Sequence, residues 1–284
     1  MTFRDLCTAA TPPFRAVLFD IDGTVSAGRR AMPGVAELLE YLRNRGIPFL
    51  FLTNDGNHSP EEKNFFLSRA GIHAAPEEIV SCGHALPELA AQRRLTGRRA
   101  FIMGELGNPC FAEAAGLIPC RDLNRIDACA LVIAGEGDFD WRKVFTGVIN
   151  FFRRHPDRPL VVPNPDTYWP NVHDGEYGIG AGGQARFLCS VLREMGVAVE
   201  PVYLGKPYPP IYRHALHTLE IRFGLTELKP EEVAAVGDSL TSDIAGARRA
   251  GMRSVLVLTG ITTPEILSRA APELRPDHVC EAIG

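Results

Sequence analysis

The chain has 284 residues, 45% hydrophobic and 23% charged, an ordinary globular composition that excludes long disorder and a fibrous repeat. Thirty Lys and Arg stand against 34 Asp and Glu, a formal charge of −4, so no general basic field draws the protein to nucleic acid or to an anionic membrane. Seven cysteines form no Cys-x-x-Cys pair, the first residues carry no apolar signal core, and no apolar run approaches the roughly 18 to 20 residues of a membrane span. The expectation is a cytoplasmic protein with reduced, mostly buried thiols, outside the membrane and without a nucleic-acid partner.

Short apolar runs alternate with amphipathic stretches along the whole chain, the pattern of βα units around a mostly parallel sheet. Strands are expected over 16–19, 47–52, 100–103, 130–134, 160–162, 233–236 and 254–258. Between the first two, apolar residues at 35, 38, 39 and 42 before Gly46 predict a helix over 35–45 with a glycine stop. Ser59 and Pro60 open the next helix as N-cap and first-turn residues, and Gly71 ends it. Further helices are expected over 184–195, entered through Gly182 and Gly183, and over 242–249.

Neither a repeat nor a low-complexity linker marks a boundary. The polar candidates cluster at 20–54 and 206–243, whereas the stretch between has its own strands and helices but no paired carboxylates. This predicts a Rossmann-like three-layer core with a parallel sheet, built from 1–97 and 201–284, and an inserted α/β domain over 98–200. The crossing points would be Thr96-Gly97 and 196–201.

The most informative string is Phe19-Asp20-Ile21-Asp22-Gly23-Thr24, at the end of an apolar strand. Ligands of parallel α/β sheets bind beyond the carboxyl ends of the strands, where loops and helix N-termini converge. Asp20 and Asp22 fall there, their two-residue spacing can turn both carboxylates to one site, and Gly23 allows a sharp turn. Asp238 follows the apolar run 233–236 in the same way. Asp243, five residues on, lies near the start of a helix, where the dipole also favours a carboxylate.

These residues resemble the motifs of the haloacid dehalogenase superfamily of phosphotransfer enzymes. Phe19 to Thr24 matches the first motif, Leu52-Thr53-Asn54 the second, Gly205-Lys206-Pro207 the third, and the stretch from Gly237-Asp238 to Asp243 the fourth, in order. The inserted segment, Asn164-Pro165-Asp166 and Leu258-Thr259-Gly260 are similar to the class IIA branch, with its nitrophenyl phosphatases, pyridoxal phosphate phosphatases and NagD-like nucleotidases. The resemblance implies a Mg²⁺-dependent hydrolase of small phosphorylated metabolites. By the same resemblance Asp20 is the nucleophile that forms an aspartyl-phosphate, and Asp22 is the general acid and base. Thr53 and the Asn54 backbone bind the phosphoryl group and Lys206 neutralises it. Asp20, Asp22 through its carbonyl, Asp238 and Asp243 hold the metal. If all four carboxylates were ionised they would carry −4 against +3 from the cation and Lys206, and a protonated Asp22 would close the balance.

Three alternatives stand beside this reading: a phosphotransferase or phosphomutase of the same family, a receiver-like module built on a phospho-aspartate, and a catalytically silent member that binds a partner. The 164–183 stretch offers Asn164, Asp166, Tyr168, Trp169 and His173 as groups that could meet the leaving group. Apolar packing is the plainer use of the two aromatics. The resemblance also leaves room for a homodimer through the inserted domain. Gly178, Gly180 and Gly183 satisfy a dinucleotide-binding spacing, but they follow a polar, turn-rich segment rather than the strand that the motif needs. His84, His155 and His173 lack the close pairing of a zinc site and read as surface or packing residues.

Overall fold

A computed structural model describes residues 1–9, 14–170 and 176–284. The apolar runs form β1 (Ala16–Phe19), β2 (Phe49–Thr53), β3 (Ile79–Ser81), β4 (Arg99–Met103), β5 (Ile118–Cys120), β6 (Leu131–Ala134) and β7 (Leu160–Val162). They are followed by β8 (Tyr168–Pro170), β9 (Tyr177–Ile179), β10 (Val202–Tyr203), β11 (Val233–Gly237), β12 (Arg253–Val257) and β13 (His278–Cys280). All seven expected strands are present. The unexpected ones are short edge strands or exposed pairs, with too few apolar positions to show a period.

By their contacts the residues divide into two compact units. The first comprises Met1–Thr53, Pro60–Val80 and Lys206–Gly284. Its six-stranded sheet has the order β13-β12-β11-β1-β2-β3, and β1 pairs in parallel with both β2 and β11. Every residue of β1, β2 and β11 is buried, as central strands covered on two faces require. Val35–Asn44 forms the expected helix and buries Val35, Leu38, Leu39 and Leu42 against Phe19, Phe49 and Phe51 in the same core.

The second unit comprises Asn54–Ser59 and Ser81–Gly205. Its parallel five-stranded sheet has the order β10-β7-β6-β4-β5. One face is covered by the helices Trp141–Arg154 and Ala181–Glu194 through Val148, Phe151, Phe152, Ala185 and Leu188. Leu86, Leu89 and Phe111 cover the other face over Ala100, Ile102 and Ile133. Residues 86–92 thus pack with this sheet, and both expected crossing points, near 96–97 and 196–201, lie within the second unit. An antiparallel pair of β8 and β9 stands apart from the sheet.

Each of the seven cysteines is a free thiol and all but Cys110 are buried. Among the described residues no helix is long and apolar enough to cross a membrane. Phe152 has no exposed surface, so truncation leaves a large cavity in the second unit. Phe152→Ala is expected to cost about 3 to 5 kcal/mol in a urea unfolding experiment, and an unchanged midpoint would contradict the packing described.

Candidate active site

The first unit brings three carboxylates together at the carboxyl ends of two adjacent strands. Asp20 follows β1 and Asp238 follows β11, and the Asp20 N–H continues the ladder by donating to the Val236 carbonyl at 2.8 Å. The chain then turns back through the π-helical turn Leu240–Ile244, which carries Asp243 inward beneath Ser239. One oxygen from each of Asp20, Asp238 and Asp243 lies within 4.8 Å of the others. The helix expected over 242–249 begins only at Ala245, and Asp243 lies in the π-helical turn before it. Asp243 Oδ2 accepts from the Ser239 N–H at 3.0 Å.

The loop after Asp20 is fixed by its own backbone. The Ile21 carbonyl accepts from the N–H groups of Thr24, Val25 and Ser26, while the Thr24 hydroxyl donates to Asp20 Oδ2 at 3.2 Å. Gly23 has φ +85, and a Cβ there would strike the Asp238 carboxylate, so both conformation and clearance demand glycine. Gly260 is demanded by clearance alone, since its Cα passes the same carboxylate, whose Oδ2 accepts from the Ile261 N–H at 2.7 Å.

Lys206 lies inside the cluster, 3% exposed, and donates to Asp20 Oδ1 at 2.5 Å and to Asp243 Oδ1 at 2.6 Å. Burial alone would drive its pKa down, but the Asp20 and Asp243 carboxylates reverse this and hold it well above the usual lysine value. Burial raises Asp20 well above the carboxylate range, against the opposing pull of Lys206, and the Asp243 and Asp238 charges push the same way. Burial, then the Asp243 charge, pushes Asp238 up to about 7. Tyr212, fully buried nearby, is pushed further above its ordinary value by burial and stays neutral.

Three buried carboxylates against one ammonium leave a charge of −2 to be met, and every available donor is a hard oxygen. That donor set fits a divalent cation of the Mg²⁺ or Ca²⁺ kind. Asp22 stands outside the cluster: its side chain is 65% exposed and its Oδ2 lies 3.5 Å from Lys63 Nζ. Three aspartates, Lys206 and one divalent cation therefore balance in charge among themselves. Lys63 itself, 9% exposed in the helix Pro60–Arg69, is a cation beside the site that sequence reading did not single out. A lysine in the first turn of a charged helix gives no sequence signal that it turns inward.

Thr53 ends β2 and is buried in the first unit; Asn54, the next residue, is buried and counted with the second. The Asn54 side chain donates to Asp166 Oδ2 at 3.1 Å and its carbonyl accepts from Cys82 Sγ at 3.1 Å. Asn164 is also buried, while His173 lies outside the described residues. Tyr168 and Trp169 are 62% and 40% exposed, so they do not serve core packing; Trp169 lies across Gly178 and Tyr168 meets Tyr177 edge-on at 5.6 Å. Gly178 belongs to β9, whose antiparallel partner is β8, so the glycine spacing does not follow a strand of the parallel sheet. Gly182 and Gly183 lie within the first turn of Ala181–Glu194 rather than before it, and the Ala181 N–H is capped by Glu136 at 3.0 Å. His84 packs edge-on against Phe111, and His155 lies 3.2 Å from Asp127.

Glu136 was not foreseen. It follows β6 by two residues, is 7% exposed, and accepts from Asn164, Asn57 and the Ala181 N–H. Burial raises its pKa and those three donors oppose the rise.

A hydrolase-type α/β core with a strand-end carboxylate cluster is the class that this fold and site define. Family models agree: one described as haloacid dehalogenase-like hydrolase matches residues 17–118 and one described as HAD-hydrolase-like matches 203–284, together well over half of the chain. An acid sugar phosphatase of Staphylococcus saprophyticus is 29% identical over 256 residues, 90% of this chain and 91% of the relative. Among solved structures, the p-nitrophenyl phosphatase from Archaeoglobus fulgidus superposes with a TM-score of 0.79 at 26% identity, covering 96% of this chain and 97% of that one. A glycerol phosphate phosphatase from Mycobacterium tuberculosis in complex with magnesium gives 0.77 at 27% identity, covering 95% and 76%. The chain belongs to the haloacid dehalogenase-like hydrolases, in the class IIA branch to which its motifs and inserted segment point.

The raised Asp238 pKa has a consequence for the metal-free protein. A carboxyl with a folded pKa of about 7, above its ordinary 3.8, favours folding at low pH and loses that contribution as pH rises through 7. With chelator present, the melting temperature is expected to fall as pH rises from about 4 to about 7. Asp238→Asn is expected to flatten that slope and Mg²⁺ to reverse it. Identical slopes for the two proteins would contradict the assignment.

Proposed function

We propose that this protein is a Mg²⁺-dependent phosphomonoester hydrolase that works through an aspartyl-phosphate on Asp20. The single observation that carries the reading is the buried constellation of Asp20, Asp238, Asp243 and Lys206 at the carboxyl ends of β1 and β11. Phosphoryl transfer asks for positioning and for cancellation of charge on the transferred group, and this constellation offers both. The cation, held by Asp20, Asp238, Asp243 and the Asp22 carbonyl, would supply positive charge to the phosphoryl oxygens. The phosphatase names of the relatives support the activity, and the magnesium in the mycobacterial structure supports the choice of cation.

Lys206, pinned by two carboxylates, keeps Asp20 Oδ1 in a fixed orientation and remains protonated. Asp20 attacks phosphorus, the bond to the leaving oxygen breaks, and Asp22 gives that oxygen its proton. Water then attacks the phosphorus of the aspartyl-phosphate and passes a proton to Asp22, which releases inorganic phosphate and restores the Asp20 carboxylate. The exposure of the Asp22 side chain suits a group that must exchange protons with leaving group and water. Thr53 and the Asn54 backbone bind the phosphoryl oxygens.

The second unit, with its sheet over 99–203, would select the leaving group among small phosphorylated metabolites. The exposed Tyr168, Trp169 and Tyr177 of its hairpin suit stacking on an aromatic or sugar-bearing group. A homodimer would form through this second unit. The seven unpaired thiols support a cytoplasmic location.

Turnover of p-nitrophenyl phosphate is expected to need Mg²⁺, and Asp20→Asn is expected to lower kcat by at least about a thousandfold while Thr53→Ala mainly raises KM. Acid quenching during turnover is expected to trap phosphate on the wild-type chain and none on Asp20→Asn. Near-wild-type kcat in Asp20→Asn would end the covalent mechanism, and transfer of the trapped phosphate to a second substrate in preference to water would replace hydrolase by phosphotransferase.

A further inference from the structure

Asn57 and Glu136 form a reciprocal pair within the second unit. Asn57 Nδ2 donates to Glu136 Oε2 at 3.2 Å, and the Glu136 N–H donates to Asn57 Oδ1 at 3.3 Å. The other carboxylate oxygen, Oε1, is taken by Asn164 Nδ2 at 2.7 Å and by the Ala181 N–H at 3.0 Å. The backbone of Glu136 is in turn held by the Glu105 N–H, which donates to its carbonyl at 2.8 Å. A second tie on the same segment runs from Gly107 N–H to the Asn57 carbonyl at 3.1 Å.

The residues so held are 54–59, a short stretch that continues directly from Thr53 at the end of β2 yet packs with the sheet of the second unit. A segment of six residues without regular structure keeps its place through such bonds, because each residue left free regains backbone entropy. The Thr53–Asn54 peptide plane is rigid, so the direction of the Asn54 N–H follows from where both of its flanking residues are held. Three donors converge on one buried carboxylate, which is the arrangement that an acceptor-only group satisfies and an amide cannot.

We propose that Glu136 is a positioning residue for the phosphate-binding segment, its carboxylate clasping Asn57 so that Asn54, next to Thr53, presents its N–H to the phosphoryl group. The inference rests on the phosphatase reading given above. Glu136 itself touches no substrate.

The chemistry of the pair provides a sharp test. In Glu136→Gln the new amide must face either Asn57 Nδ2 or the Asn164 and Ala181 donors, and turning Asn57 over only transfers the clash to the Glu136 N–H. Adding Asn57→Asp removes it, because a carboxylate at position 57 would accept from both the glutamine amide and the residue 136 N–H. Competitive inhibition by inorganic phosphate is the readout, since loss of folded protein lowers kcat without altering Ki, whereas a displaced segment raises Ki. Glu136→Gln is expected to raise Ki for phosphate about tenfold, and the double variant Glu136→Gln with Asn57→Asp is expected to return it to within about threefold of wild type. Asn57→Ala, which leaves Glu136 its bonds to Asn164 and Ala181, is expected to raise Ki similarly and keeps the test available if Glu136→Gln does not fold.

An unchanged Ki in these single variants, or a double variant no better than Glu136→Gln, would overturn the proposal. Hydrogen exchange of residues 54–59 and 136 separates this inference from the function it rests on. Faster exchange in Glu136→Gln, slowed again in the double variant, is expected even if wild-type protein hydrolyses no phosphate ester; in that event the phosphatase reading falls, and equal exchange in all variants would sink the clasp as well.

Discussion

A buried ammonium between two buried carboxylates is the constraint around which the first unit is arranged. Lys206 could not stay charged at 3% exposure without the Asp20 and Asp243 carboxylates beside it, and its own charge opposes the burial that raises the Asp20 pKa. Asp238 adds a further negative charge that the polypeptide does not cancel, which makes the cluster dependent on protons or on a cation. The local backbone serves that arrangement: the π-helical turn that lowers Asp243 beneath Ser239, the glycines at 23 and 260 that clear the Asp238 carboxylate, and the central strands whose burial on both faces keeps the strand ends apart from bulk water.

The second unit solves a similar problem with hydrogen bonds in place of counter-charge. Glu136 and Asn164 lie just beyond the carboxyl ends of neighbouring parallel strands, β6 and β7, where α/β sheets gather polar groups. Three neutral donors satisfy one carboxylate there. The result is a rigid polar junction joining the turn at 54–59, the loop at 164–166 and the start of the helix Ala181–Glu194.

The fold was legible in the sequence wherever the signal was a buried apolar run. Residues 16–19 and 160–162 coincide with their strands, and the other five expected strands differ by one or two residues at one or both ends. The edge strands at 118–120, 202–203 and 278–280 were not legible, because two or three half-buried residues carry no periodicity. The packing of residues 86–92 with the inserted sheet through Leu86 and Leu89 was not legible for a related reason: these contacts are made across the fold, which chain order does not display. The carboxylates were legible because each ends a strand or follows one closely. Lys63 and Glu136 were not, since an isolated charge in a polar stretch looks solvated until tertiary structure buries it. The aromatic pair at 168–169 shows the opposite failure, side chains that composition would bury but that stand on an exposed hairpin.

Whether the cluster of Asp20, Asp238 and Asp243 is a cation site decides the chemistry open to this protein. Calorimetric titration of Mg²⁺ into the metal-free protein at pH 8, where Asp238 has given up its proton, tests this without reference to any substrate. One Mg²⁺ bound per chain, with affinity reduced by about a hundredfold or more in Asp238→Asn, is the result predicted. Equal affinity in the two proteins, or no binding to either, would contradict it.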